Sequence, residues 1–181
     1  DANVLDNTGW VGRDFDMQYP NYYGNPYKGP LAITMGSVSS DTFLGNDNNY
    51  GIAVQDPSSN YGYIDGNNDV APNSFYGYEL EFVRQMIATS NDFSASVTTA
   101  YQAGTNSVSY PSSYIAYQLQ MVAKLISGGL GTKVFLVNAG GFDTHTNQND
   151  STNPAVGYHA DLWKSICDAI GAFQNDLAAQ T

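Results

Sequence analysis

The sequence predicts an α/β protein, and three observations carry that expectation. A short apolar run, Val134 to Val137, reads as a buried strand. It lies between two long stretches whose apolar residues recur at helical spacing. It also opens through Gly140-Gly141 into a turn, as strands do at the edge of a layered sheet. Helix, strand, loop, helix is a piece of an α/β layer architecture.

Element by element, the first half is rich in loops. A short helix is expected around Trp10 to Phe15. Tyr19 to Pro30 is dense in Tyr, Asn, Gly and Pro and reads as irregular. Leu31 to Met35 is a candidate strand closed by Gly36, and Thr42 to Leu44 and Gly51 to Val54 are two further short ones. Gly45 to Tyr50 and Asp56 to Asn73 are turn-rich, so the whole span from Tyr19 to Asn73 is expected to contribute little core.

The second half is periodic. Tyr78, Leu80, Val83 and Ile87 form a helical stripe widened by Phe82 and Met86; it weakens at Asn91 and resumes with Phe93 and Val97. A second helix starts at Pro111-Ser112-Ser113, carries Ile115, Leu119, Val122 and Ile126, and stops at Gly128-Gly129. The strand at Lys133 follows. A last helix runs from about Val156 to Ala179 on Leu162, Ile166, Ile170, Phe173 and Leu177.

The domain expectation is one segment, residues 1–181, of a larger α/β domain: 1–76 loop-rich with short strands, 77–181 helix-helix-strand-helix. One convincing buried strand does not make a sheet for two amphipathic helices to cover, and the chain stops where a further strand would follow. The alternative is that the early strands complete a small sheet.

Composition narrows the partners. Seventeen acidic residues against six basic ones give a formal charge of −11, which argues against nucleic acid and against an anionic membrane surface. No transmembrane span is visible. Cys167 is the single cysteine, so no intrachain disulfide forms, and its place between Ile166 and Ile170 suggests a buried, inert thiol. Fourteen tyrosines, few lysines and long Asn/Ser/Gly loops give a secreted, periplasmic or cell-surface character.

Chemistry concentrates in Gly140-Gly141-Phe142-Asp143-Thr144-His145. Loops at the carboxyl ends of strands are where open α/β sheets hold ligands and metals. Asp143 and His145, one residue apart after two glycines, are the candidate metal ligands; the plain alternative is an Asx turn with an exposed imidazole. Thr144 between them points the other way on a two-residue repeat. His159 is the remaining histidine; it is either the N-terminal cap of the last helix or a further ligand. Asp65-Gly-Asn-Asn-Asp69 spaces oxygens as a calcium loop does, but Tyr76 stands where a bidentate Glu is needed. Trp10, Arg13 and Asp14 are expected to anchor the first helix, and Asp161, Asp168 and Asp176 to lie on the solvated face of the last.

These landmarks resemble, in order, a bacterial family catalogued as domain of unknown function 1501, close to the alkaline phosphatase and sulfatase superfamily, in the form seen in Bacteroidota-like organisms. The resemblance runs through Thr8-Gly-Trp-Val-Gly-Arg13, Pro30-Leu-Ala-Ile33, Ala71-Pro-Asn73 and Tyr110-Pro111. It continues through Gln118 to Ile126 and Gly129-Leu-Gly-Thr132, peaks at Gly140 to His145, and closes with His159-Ala160, Asp168 to Phe173 and Asp176-Leu177. It implies part of an alkaline-phosphatase-like three-layer sandwich. It further implies a metal-dependent hydrolase acting on phosphate or sulfate esters, with Asp143, His145 and His159 toward a divalent metal, whether zinc, calcium, magnesium or manganese. The superfamily spacing in this region is Asp-x-x-x-His, and here it is Asp-x-His. No Ser or Thr nucleophile is recognisable, so the remaining segments of the domain, or another chain, would have to supply the rest. The competing expectation is a non-catalytic surface or secretion-associated protein that keeps the scaffold and binds a protein or glycan through its Tyr- and Asn-rich half.

Overall fold

A computed structural model of the chain describes residues 8–22, 29–46, 48–58, 69–146, 148–153 and 155–180. Among them the order is α1 (Trp10–Gln18), β1 (Ala32–Met35), a 3-10 turn (Asp41–Phe43), β2 (Gly51–Val54), α2 (Phe75–Ala103), α3 (Tyr114–Ser127), β3 (Val134–Leu136) and α4 (Tyr158–Ala179). The protein is a mixed α/β structure built on a three-stranded parallel sheet of order β2-β1-β3.

The early strands do complete a sheet. Ala32, Ile33 and Thr34 pair on one side with Gly51, Ile52 and Ala53, and on the other with Val134, Phe135 and Leu136. A central parallel strand is covered on both faces, and all four residues of β1 are buried. Side chains alternate across it. Ile33 and Met35 face Val97 and Ala100 of α2 and Met121, Val122 and Leu125 of α3. Ala32 faces Val11 and Phe15 of α1 together with Phe43 and Tyr50, and Val134 and Leu136 join that side while Phe135 and Val137 join the other. Helices thus lie on both faces of the sheet.

Several expectations change here. The span from Tyr19 to Asn73 is a main source of core, not a poor one: Leu31, Ile33, Met35, Phe43, Tyr50 and Val54 are all buried. Four-residue strands are too short to show a period, which hides them in a loop-like composition. Thr42 to Leu44 is not a strand. The Ser40 hydroxyl accepts from the Thr42 N–H and caps a 3-10 turn, and Leu44 keeps a single antiparallel bridge to Asn49. α2 runs through Asn91 without a break, since Asn is a poor helix former and not a breaker. The side chains of Phe82 and Met86 fall outside the described set, as do residues 65–68 of the calcium-like loop.

α4 turns inward most of its expected stripe, with the centre of the face shifted away from Ile170 and toward Ala169 and Asp176. Ala169 and Asp176 are buried, Ile166 and Phe173 pack beside them, and Ile170 is exposed. The small Ala169 meets Ala116 and Leu119 of α3 within one cluster, so two helices approach closely there. Cys167 is exposed, contrary to the buried thiol expected.

Asp176 is the largest correction, because it is fully buried instead of solvated. Its carboxylate accepts from the Ser107 N–H at 2.7 Å, Asn106 Nδ2 at 2.8 Å, the Tyr110 hydroxyl at 2.9 Å and Gln180 Nε2 at 3.3 Å. It fastens α4 to the α2–α3 connection. Burial is the largest single influence on its pKa and pushes it up, but the hydrogen bonds together outweigh it and hold the carboxyl below the usual range. Burial, then Asp176 itself, raises the Tyr110 phenol well above its ordinary value. On the other face Asp16 plays a similar part. It accepts from the Tyr50 hydroxyl at 2.6 Å and from the Asn46 backbone and side-chain nitrogens at 2.8 Å, and the Tyr50 bond leads in lowering its pKa.

Where α2 and α3 meet, a Cβ on Gly128 would sit 1.8 Å from the Ala100 carbonyl oxygen. Gly128→Ala should therefore cost about 1–3 kcal/mol in urea denaturation, with the helices forced apart. Asp176→Ala should cost about 3 kcal/mol, since four donors lose a charged acceptor at once. Asp176 contributes stability that is complete above its unfolded pKa of about 3.9 and is lost as pH falls through its lower folded value. Tyr110 contributes stability that is complete below about pH 10 and is lost as pH rises through its higher folded value. Denaturation midpoints across pH should fall at both ends for the wild type. Asp176→Ala should weaken the acid-side fall, which Asp16 keeps in part, and should weaken the alkaline fall less, because burial is the first cause of the Tyr110 shift.

Candidate functional site

β3 ends at Leu136, and the chain leaves the sheet under tight control. Gln118 of α3, 1% exposed, donates from Nε2 to the Asn138 carbonyl at 2.8 Å and accepts from the Asn138 N–H at 3.0 Å. One buried amide thus bonds both backbone groups of Asn138, the second residue after β3, as a strand neighbour would.

The next turn depends on Gly141. Its φ is 92°, and a Cβ there would come within 3.0 Å of the Tyr158 hydroxyl and 3.2 Å of Leu162 Cδ2. Only glycine both adopts this conformation and lets the loop lie against α4. Phe142 then packs edge-on against His159 and Trp163, with ring centroids 5.7 and 5.4 Å away. This aromatic contact anchors the loop.

Beyond the anchor, Asp143 and His145 turn outward together. His145 Nε2 lies 3.1 Å from Asp143 Oδ1, and both side chains are more than four-fifths exposed. His145 has φ 40°, the left-handed region, which histidine enters more readily than most residues but still at some cost. The loop is bent so that residues 143 and 145 share a side.

His159 is placed differently. It does not cap α4: the cap is Gly157, with φ 123° and no side-chain hydrogen bond. Its N–H donates to the Gln148 carbonyl, and its Nε2 accepts from the Trp163 indole at 3.0 Å. Its Nδ1 is buried without a partner. The ring forms part of the aromatic seat under Phe142. Among the described residues, no group of three His, Cys, Asp or Glu side chains is close enough to hold a metal together, so Asp143 and His145 stand as a pair.

The pair fits the donor chemistry of a divalent cation. Carboxylate oxygen and imidazole nitrogen each bind such ions at about 2.0–2.2 Å, and two donors on one ion are then about 3 Å apart, close to the observed separation. A hydrogen bond between the two groups gives the same distance. The expected supporting residues behave as supports. Arg13 donates to the Thr8 carbonyl and hydroxyl, both at 2.9 Å, and Asp14 accepts from Gln18 at 2.7 Å. Asp161 and Asp168 are exposed, with Lys164 paired to Asp168. Of the calcium-like loop only Asp69 is described.

Sequence reasoning passed over one feature at the same end of the sheet. Gln55 and Asp56, directly after β2, line a cavity of about 370 Å³ with Tyr114, Tyr117 and Gln118 of α3. The signal was available, since polar residues immediately after a strand stand at its carboxyl end. Comparisons with protein-family models, curated proteins and solved structures give no match for this chain.

Phe142→Ala should release the loop while leaving the sheet intact. Hydrogen–deuterium exchange across residues 140–146 should rise roughly tenfold, with β1 unchanged.

Proposed function

We propose that Asp143 and His145 are two donors of a divalent-cation site. On this reading the chain is part of an exported, hydrolase-like protein acting on phosphate or sulfate esters. One observation carries it: a carboxylate and an imidazole 3.1 Å apart, turned outward at the carboxyl end of a strand in a parallel sheet. An exposed pair is open to further donors from outside these residues, which a half-site requires. Sequence resemblance to the alkaline phosphatase and sulfatase surroundings supplies the substrate class, and the acidic, tyrosine-rich composition supports export.

A bound divalent ion would supply charge neutralisation and water activation. The chain's own residues do the positioning. Gln118 fixes where the loop begins, and Phe142, seated on His159 and Trp163, fixes where it turns. The mixed oxygen and nitrogen donor set favours zinc over magnesium or calcium, whose sites are built from oxygen.

One observation favours the second reading, a non-catalytic binding protein. Phe75, Tyr76 and Tyr78 at the start of α2 are 80%, 68% and 66% exposed, aromatic surface of the kind that meets another molecule. Turnover of a phosphate or sulfate ester would decide against it.

Zinc content after loading and desalting, read by mass spectrometry, tests the cation site. The wild type should retain roughly tenfold more zinc than the Asp143→Ala, His145→Ala double variant, and the difference should shrink in acid, where a ligating imidazole must shed its proton to bind. Equal zinc in both proteins would remove the proposal.

A further inference from the structure

The cavity beside the carboxyl ends of β1 and β2 is separate from the Asp143/His145 loop. At about 370 Å³ it falls within the roughly 300–1,000 Å³ typical of small-molecule sites. Its apolar lining comes from Met35 and Met121, which are almost fully buried at 2% and 3% exposure. Its aromatic lining comes from Tyr114 and Tyr117, three residues apart in the first turn of α3, where the Ser113 hydroxyl caps the helix by accepting from the Ala116 N–H. Its polar lining comes from Gln55, Asp56 and the pinned amide of Gln118.

The chemistry of this lining is selective. Among the described residues no Lys or Arg lines it, and Asp56 adds a carboxylate in a chain of formal charge −11. A phosphate, sulfate or carboxylate ligand would meet repulsion with no cation to offset it. A caged alkylammonium ion needs rings closed around it. Here the tyrosines are 64% and 46% exposed, so the rings stand open at the rim. Open phenol rings with an apolar floor suit the C–H face of an uncharged pyranose ring. Gln118 is held by Asn138, so the hydroxyl partners at the ring's edge fall to Gln55 and to the Asp56 carboxylate, whose Oδ1 also accepts from the Ser58 N–H and hydroxyl. We infer that this cleft binds a neutral sugar residue of a glycan, with Tyr114 and Tyr117 as the stacking surface and Gln55 and Asp56 as hydroxyl partners.

The site needs neither Asp143 nor His145, so it stands or falls apart from the cation site. Cellohexaose, xylohexaose, mannohexaose and chitohexaose, titrated into the ¹⁵N-labelled chain, test it by NMR. At least one should shift the amides of residues 55, 56 and 114–118 with a Kd below about 10 mM. The Tyr114→Ala, Tyr117→Ala variant, both changes at exposed positions, should weaken that binding at least roughly tenfold. Tyr114→Phe, Tyr117→Phe should keep most of it, and Asp143→Ala, His145→Ala should keep all of it. Tetramethylammonium and sulfate should leave the same amides unmoved. The inference is overturned if all four sugars fail at that concentration, if binding ignores the loss of both tyrosines, or if tetramethylammonium or sulfate moves these amides instead.

Discussion

Everything in this fold depends on β1 being paired on both sides and covered on both faces. Four residues, Ala32 to Met35, are all buried, with β2 paired along the whole strand and β3 along Ala32 to Thr34, so the sheet is where their backbone groups find partners. Pairing with β2 closes a short loop, but pairing with β3 joins residues about a hundred positions apart. That long-range contact is what brings the residues after β3 level with those after β1 and β2. Without it, neither the Asp143/His145 loop nor the cleft at Gln55 and Asp56 would lie at one end of one sheet.

Polar residues then fix what the sheet leaves open. Asp176 ties α4 to the connection between α2 and α3, Asp16 ties α1 to the turn before β2, and Gln118 stands in for a strand neighbour at Asn138. Each is a polar side chain answering several donors or acceptors, which makes it costly to remove and exacting about geometry. Function is proposed where these ties end: the loop beyond Asn138 leans on aromatic contacts, and its two chemical groups face solvent.

Much of this was legible in the sequence. α3, β3 and α4 follow from period, capping serine and stop glycines, and Leu31 to Met35 and Gly51 to Val54 stand out as short apolar runs. The joining of those runs into a sheet was not legible, because parallel pairing leaves no local trace and strands of four residues carry no period. The inward turn of Asp176 was hidden for a similar reason. Its partners Asn106, Ser107 and Tyr110 are about seventy positions away, and a helical wheel counts a carboxylate as polar wherever it points. Asp143 and His145 were found because the glycines and the strand before them are local signals. The role of Phe142, which seats the loop on His159 and Trp163, arises only once α4 is in place.

The sheet register is the most direct test, because the whole account places its chemistry by that register. Cross-strand backbone NOEs in a uniformly ¹³C,¹⁵N-labelled sample read it. The account predicts contacts that pair Ala32 with Val134, Ile33 with Phe135 and Thr34 with Leu136, alongside the β2 contacts of the same residues. A register shifted by one residue would turn Phe135 to the opposite face. That result, or β1 amides lacking contacts to β3 altogether, would contradict it.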